Sequence, residues 1–289
     1  MKYLSLFTGI GGFELGIQQA YELSKVGTKS KNSTDGKSEP SQHWERPFCI
    51  GYSEIDKYAM QVYQTHFPNH KNYGDIKTID ATKLPDFDFL CGGFPCQSFS
   101  IAGKRKGFTD TRGTLFFEIA RILKEKQPRL FLLENVKGLL SHDNGNTFKT
   151  IISTLDELGY DLQWQVLNSK NFGVPQNRER VFIVGHLRGT RRPEVFPIGA
   201  GDKVDDQVRE VEDKEGARSS CLNTRYGQRW TDETYIGKGA KIRRLTPLEC
   251  ERLQGFPDNW TQGISDTQRY KCCGNAVTVN VIQAIMERL

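Results

Sequence analysis

Apolar residues in the first half of the chain recur in two rhythms. Short apolar runs of strand length alternate with segments whose apolar positions return roughly every three to four residues. Strands are predicted over 3–7, 48–53, 87–91 and 130–134, and helices over 12–22, 56–66, 113–126 and 147–158. Two further strands follow over 161–168 and 180–186. Alternation of this kind predicts a doubly wound α/β sheet with helices on both faces. The rhythm fails twice. Residues 24–46 are polar and rich in turn formers, as expected of a flexible surface insertion between the first helix and the second strand. Residues 187–241 have no sustained period and contain Pro193, Pro197 and several glycines, which reads as a small irregular lobe. A short helix over 247–253 and a final helix over 278–289 close the chain, and no internal repeat is found.

A chain of 289 residues can bury a full α/β core and still carry a small second lobe. It has no uninterrupted apolar stretch of about eighteen residues, so no membrane-spanning helix is expected. The N-terminus runs straight into a glycine turn and reads as the first strand rather than a leader. The seven cysteines are odd in number and form no paired motif with nearby histidines. That disfavours a disulfide framework and a metal site, and fits a reducing cytoplasm. The net charge of +5 is mild, with 40 basic against 35 acidic residues, and by itself only permits nucleic acid binding. Its distribution says more. Lys104-Arg105-Lys106, Arg178, Arg180, Arg188, Arg191-Arg192, Arg225, Arg229, Lys241 and Arg243-Arg244 recur around the glycine-rich segments, while 202–215 is acidic and mixed. Such clusters suit a polyanionic substrate, and solvated surface faces are the plainer alternative.

Candidate chemistry gathers at the ends of the predicted strands. Residues 92–98 read Gly-Gly-Phe-Pro-Cys-Gln-Ser. Cys96 follows Pro95 in the loop leaving a buried strand, where open α/β sheets place their ligands. It reads either as a nucleophile on a rigid shelf or as a buried thiol in a turn. The turn Phe7-Thr8-Gly9-Ile10-Gly11-Gly12 sits between a strand and a helix, so backbone can approach a ligand at a helix N-terminus. It departs from the dinucleotide fingerprint, which argues against a pyrophosphate cradle. Glu54 ends the second strand, where a carboxylate commonly accepts ribose hydroxyls, whereas Asp56 can cap the following helix. Asp75 suits either an adenine amino group or a turn. Glu134 puts a charge at the end of a buried strand, which requires a partner or a function. Arg178 and Arg180, two positions apart on a strand, share a face. They are placed to brace Glu134, to contact a phosphate, or to make surface pairs.

Six motifs then occur in order: Phe-x-Gly-x-Gly-Gly, Gly-Phe-Pro-Cys-Gln, Glu-Asn-Val, Gln-Asn-Arg-x-Arg, the run Arg-Arg-Leu-Thr-Pro-x-Glu-Cys-x-Arg-Leu-Gln-Gly-Phe-Pro, and Gly-Asn-Ala-Val. This set closely resembles the bacterial DNA (cytosine-5)-methyltransferases of restriction–modification systems, over residues 1–21, 48–186 and 243–289. The resemblance implies a mixed, Rossmann-like S-adenosylmethionine-dependent methyltransferase fold. Residues 1–186 would form the catalytic and cofactor-binding domain, 187–242 a short target-recognition region, and 243–289 a return to the catalytic domain. It implies S-adenosylmethionine as cofactor, with Phe7 on the adenine, Gly9, Gly11 and Gly12 around the amino acid portion, and Glu54 on the ribose. Asp75 would meet the adenine edge, and Ile55, Ile76, Pro95, Asn275 and Val277 would complete the pocket, although Asn275 by itself reads as a turn residue.

It also implies a catalytic set. Cys96 would add to C6 of a flipped-out cytosine, making C5 nucleophilic, and a thiolate suits that addition. Glu134 would contact N3 and the exocyclic amine, Arg180 would steady the pocket and Arg178 support it. Ser100 and Lys104, Arg105 and Lys106 fall in a stretch resembling the family's mobile loop on double-stranded DNA. Arg225, Tyr226, Gln228, Arg229 and Trp230 are the candidate base readers. The recognition region is short for the family, which fits a minimal reader or one borrowed from a partner. A cognate restriction endonuclease and a bacterial cytoplasmic location are implied, with no metal and no membrane. The alternatives are a tRNA cytosine-5 methyltransferase and a non-catalytic DNA-binding regulatory relative. The second is disfavoured by the joint presence of Cys96, Glu134 and Arg180.

Overall fold

Successive residues of a strand point to opposite faces, and the central strands of this protein are apolar on both. Leu4, Leu6, Leu90, Phe131, Leu133, Val181 and Ile183 enter one core, while Tyr3, Phe89, Cys91, Leu132, Phe182 and Val184 enter another. A sheet of this kind must be covered twice. The computed structural model describes residues 1–29, 46–95, 115–198, 235–238 and 241–289. The strands are β1 (Lys2–Leu6), β2 (Phe48–Ser53), β3 (Phe89–Gly93), β4 (Leu130–Val136), β5 (Tyr160–Asn168) and β6 (Glu179–Leu187), with a hairpin of β7 (Tyr235–Lys238) and β8 (Lys241–Arg244). The helices are α1 (Gly12–Lys29), α2 (Lys57–His66), α3 (Leu115–Lys126), α4 (Asn146–Glu157), α5 (Pro247–Leu253), α6 (Asp266–Asn275) and α7 (Val279–Met286).

The six-stranded sheet has the order β2-β1-β3-β4-β6-β5. The first four strands in that order are parallel, and β6 runs antiparallel to both β4 and β5. Phe116, Ile119 and Leu123 of α3, with Ile151 and Leu155 of α4, fill the first core. Phe13, Ile17 and Ala20 of α1, with Val281, Ile282 and Ile285 of α7, fill the second. The doubly wound mixed α/β architecture is therefore as expected.

Several boundaries differ from the expectation. Helix α1 continues to Lys29, into the expected insertion, because nothing between Leu23 and Val26 breaks a helix and Lys25 pairs with Glu22 at 3.0 Å. Strand β4 runs on to Val136, because Asn135 and Val136 still find partners in Val181 and Arg180 of β6. The expected limit of the recognition region at 242 falls inside β8. Helix α6 was not anticipated. Its buried side is built from Tyr270, Cys272, Cys273 and Gly274, too little apolar surface to show as a period. Part of the irregular stretch is tied to the sheet: Gln163 binds the backbone of Pro193, Val195 and Phe196, and Gln165 binds both groups of Ile198.

The C-terminal return depends on small residues in α1. A Cβ on Gly12 would stand 2.7 Å from Val277 Cγ1, and one on Gly16 would stand 2.7 Å from Ile282 Cβ and Cγ2. These two glycines, one helical turn apart, let α7 lie directly on α1. Glu14, on the same turn, is fully buried. Tyr63 Oη of α2 donates to its Oε1 at 3.2 Å and lies 2.9 Å from His70 Nδ1. Burial lifts the Glu14 carboxyl from its ordinary 4.5 to about 7, against the opposing pull of its hydrogen bonds.

Two expected outcomes follow from this packing. Gly16→Ala gains up to about 1 kcal/mol of helix propensity but forces an overpacking penalty of about 1–3 kcal/mol, so it destabilises. A urea midpoint at or above that of the native chain would contradict the close contact. Between about pH 4.5 and pH 7 the folded chain holds a proton on Glu14 that the unfolded chain has released, so stability falls as pH rises through that window. Glu14→Gln removes this penalty. Relative to the native chain it gains stability between about pH 5 and about pH 8, by up to about 3 kcal/mol, measured by urea unfolding at both.

Candidate active site

The carboxyl ends of β1, β2, β3 and β4 open on one side of the sheet, and each carries a turn or side chain that shapes a common cavity. After β1, Phe7 and Gly9 adopt left-handed backbone, at φ 54° and 58°. Gly9 has open space where a Cβ would stand, so its backbone faces the cavity uncovered. The Glu54 carboxylate closes this turn onto the end of β2. Its Oε2 accepts from Gly9 N at 2.9 Å, and its Oε1 accepts from Ile55 N at 2.8 Å and Asp56 N at 2.9 Å. Asp56 caps α2 through Oδ1, which accepts from Tyr58 N and Ala59 N, and its Oδ2 meets Lys271 Nζ at 2.7 Å. The ammonium and the capping N–H groups hold the Asp56 carboxyl below its usual range against partial burial.

At the end of β3, Gly93 stands opposite Glu134 of β4, and a Cβ there would lie 2.9 Å from Glu134 Oε2. The glycine makes room for the carboxylate. Asn135 Nδ2 donates to the Phe94 carbonyl at 2.9 Å, and its Oδ1 accepts from Val136 N, so the turn ahead of Pro95 is pinned to β4. Asn135 is 2 % exposed and was not among the expected site residues, although it is the middle residue of Glu-Asn-Val.

The β4–β6 register sets Val136 against Arg180 and Glu134 against Phe182. Glu134 and Arg180 are thus diagonal neighbours on one face, and Arg180 Nε meets Glu134 Oε1 at 3.0 Å. Arg178 does not share that role. It precedes β6, is 3 % exposed, and its Nη2 donates to the carbonyls of Gly274 and Ala276 at 3.1 and 2.9 Å. The guanidinium brackets Asn275 from behind, so two arginines expected to act together hold different walls.

The cavity is about 430 Å³, within the usual range for a small-molecule site. Of the expected cofactor residues, Phe7, Gly9, Glu54, Pro95 and Asn275 line it, as do Glu134, Arg178 and Arg180. The others stand outside the wall. Gly11 and Gly12 are taken up by packing, against Phe67 and Val277. Val277 is buried in the core, Asp75 caps a short 3-10 turn through Lys77 N, and Ile76 is core. Ile55 is exposed beside Glu54. Asp56, the expected helix cap, lines the cavity too, as do Asn135, Lys271 and Cys272. S-adenosylmethionine fits these residues. The Glu54 Oε2 accepts one bond and keeps a lone pair for a hydroxyl, Gly9 leaves the backbone open, and Asp56 adds a second carboxylate beside Glu54.

Cys96, Ser100, Lys104, Arg105, Lys106, Arg225, Tyr226, Gln228, Arg229 and Trp230 lie outside the described residues. The five described cysteines are all buried. Burial is the first cause that pushes the thiols of Cys49, Cys250 and Cys272 up to about 12 and those of Cys91 and Cys273 well above the ordinary value. Even Cys272, in the cavity wall, is a neutral thiol near pH 7. None of these five is a ready nucleophile.

The profile of a family described as C-5 cytosine-specific DNA methylase matches residues 1–207 and 197–289. The Type II methyltransferase M1.ScrFI of Lactococcus lactis subsp. cremoris is 39 % identical over 326 aligned residues, covering 100 % of this chain and 77 % of that protein. The Type II methyltransferase M.NlaX of Neisseria lactamica is 38 % identical, covering 100 % of this chain and 96 % of that protein. Among solved structures, the S. pombe Dnmt2 methyltransferase superposes with a TM-score of 0.71 at 20 % identity, over 99 % of this chain and 97 % of that one, a likeness of fold. The chain belongs to the C-5 cytosine-specific DNA methylase family, and with it to the enzymes that methylate carbon 5 of cytosine in DNA.

Proposed function

We propose that this chain transfers the methyl group of S-adenosylmethionine to C5 of a cytosine flipped out of duplex DNA, through a covalent bond from Cys96 to C6. The observation that carries the reading is the single cavity in which Glu134 and Arg180 share a wall with Glu54, Gly9 and Pro95. Cys96 follows Pro95 directly in the chain, and the five described cysteines are buried thiols unsuited to attack.

Bound S-adenosylmethionine supplies an electrophilic methyl group on a sulfonium. Glu54 accepts a ribose hydroxyl on Oε2 while Gly9 N holds it in place. Phe7 and Asn275 bound the ligand from the β1 and α6 sides, with Arg178 keeping the C-terminal end of α6 seated. Ile55, Asp75 and Ile76 support the adenine end from outside the wall, and Gly11, Gly12 and Val277 act behind it by seating α1 against the C-terminal segment. Cytosine C5 is a weak nucleophile until addition at C6 breaks the ring conjugation. The Cys96 thiolate forms the C6 bond and pushes an electron pair toward C5 and N3. Glu134 places a proton at N3 and accepts from the exocyclic amine, which stabilises the charge produced by addition. Arg180 orients that carboxyl group from 3.0 Å. After transfer, water takes the C5 proton, the N3 proton returns to Glu134 and the Cys96 thiolate departs from C6, which restores the ring.

Residues 187–242 serve as the target-recognition region, with Arg225, Tyr226, Gln228 and Arg229 reading bases and Ser100, Lys104, Arg105 and Lys106 contacting the DNA near the extruded nucleotide. The relatives named as Type II methyltransferases support a place as the modification partner of a restriction endonuclease, in a bacterial cytoplasm. Among the described residues no helix is long and apolar enough to cross a membrane.

Cys96→Ala abolishes methylation of duplex DNA while leaving the Kd for S-adenosylmethionine nearly unchanged; normal turnover by that variant would refute the covalent route. Glu134→Gln lowers kcat by about 10²–10⁴-fold with little change in donor affinity. A loss confined to donor binding would instead make Glu134 a cofactor residue. Tritium transfer to duplex DNA and to tRNA, followed by bisulfite sequencing, separates the DNA reading from a tRNA one and reports the site.

A further inference from the structure

One end of the cavity is set by charge rather than shape. Glu54 and Asp56 bring two carboxylates to the end of β2, and Lys271 of α6 brings one ammonium to the same wall. The three are not equivalent. The Glu54 hydrogen bonds come from neutral backbone N–H groups, and its charge adds to that of Asp56 in the field at Lys271. Asp56 meets Lys271 Nζ at 2.7 Å, with the two side chains 29 % and 43 % exposed. This pair also bridges α2 and α6, residues 215 positions apart in sequence. Together the two carboxylates and one ammonium leave this end with a single net negative charge.

The donor and its demethylated product differ at one point that such a wall can sense. Methyl transfer converts a sulfonium into a neutral thioether, so S-adenosylmethionine carries one positive charge more than S-adenosylhomocysteine. Low-dielectric cavity walls extend the reach of fixed charges beyond direct contact. We propose that the Asp56–Lys271 pair is a specificity-determining element of this cofactor site: it sets the ratio of affinities for charged donor and neutral product, with Lys271 moderating the pull of Asp56. The inference rests on the reading of this cavity as the S-adenosylmethionine site. Asp56 favours the donor, Lys271 opposes it, and their pairing keeps the site from holding the donor so strongly that charge rather than shape dictates binding.

The two members act with opposite sign, which separates this role from mere bridging. Isothermal titration of the full chain with S-adenosylmethionine and with S-adenosylhomocysteine at low ionic strength gives the ratio of the two Kd values. Lys271→Met leaves Asp56 unopposed and shifts the ratio toward the donor by about threefold or more. Asp56→Asn keeps a capping oxygen for α2 but leaves Lys271 unopposed, and shifts the ratio toward the product by a similar factor. The double variant returns to within about twofold of the native chain, Lys271→Arg stays near it, and added salt shrinks both single shifts. Loss of the α2–α6 bridge alone would weaken both ligands alike and leave the ratio unmoved, which overturns the proposal, as do two shifts of the same sign or a shift in only one variant. Failure of both ligands to bind the native chain would overturn the cavity assignment itself.

Discussion

The antiparallel seating of β6 beside β4 is the constraint on which the site depends. A parallel strand there would present its other end to the cavity, and the Gln-Asn-Arg-x-Arg run would lie far from Glu134. In the observed register Arg180 stands across from Val136 and reaches Glu134 diagonally, while Arg178, just before the strand, reaches back to the C-terminal end of α6. One strand start therefore fixes both the carboxylate wall and the C-terminal wall. The pair is largely withdrawn from water, so each member depends on the other: a carboxylate left alone at the end of a buried strand is strongly disfavoured.

The C-terminal segment is as much a part of the site as β1. Residues 274 and 275 complete a cavity begun by Phe7 and Gly9, at the other end of the sequence. Gly12 and Gly16 permit that return by removing side chains from the α1 surface facing Val277 and Ile282. Asp56 and Lys271 join the same two parts of the chain at the opposite edge.

Much of this was legible in the residues. Short apolar runs marked the strands, as expected of a sheet buried on both faces, and the ordered motifs pointed to Gly9, Glu134 and Arg180, which share one cavity. Other features were illegible for identifiable reasons. Gly11 and Gly12 look like ligand-facing glycines in a strand–turn–helix context, yet their missing side chains make room for Phe67 and Val277. The spacing of Arg178 and Arg180 predicts one shared face, but β6 starts at Glu179, and the backbone before it turns Arg178 elsewhere. Lys271 and Asp56 lie 215 positions apart, so only the folded chain shows that they meet. Helix α6 shows no apolar period, because two adjacent cysteines and a tyrosine supply most of its buried side.

The central proposal is that the Cys96 sulfur bonds to the target pyrimidine. A duplex carrying 5-fluorocytosine at the recognised site blocks the step that would release that sulfur. Incubated with the chain and S-adenosylmethionine, it should yield a denaturation-resistant adduct whose peptide map places one methylated base on Cys96. Absence of any adduct on a duplex that the chain otherwise methylates, or its attachment to another cysteine, would contradict the account.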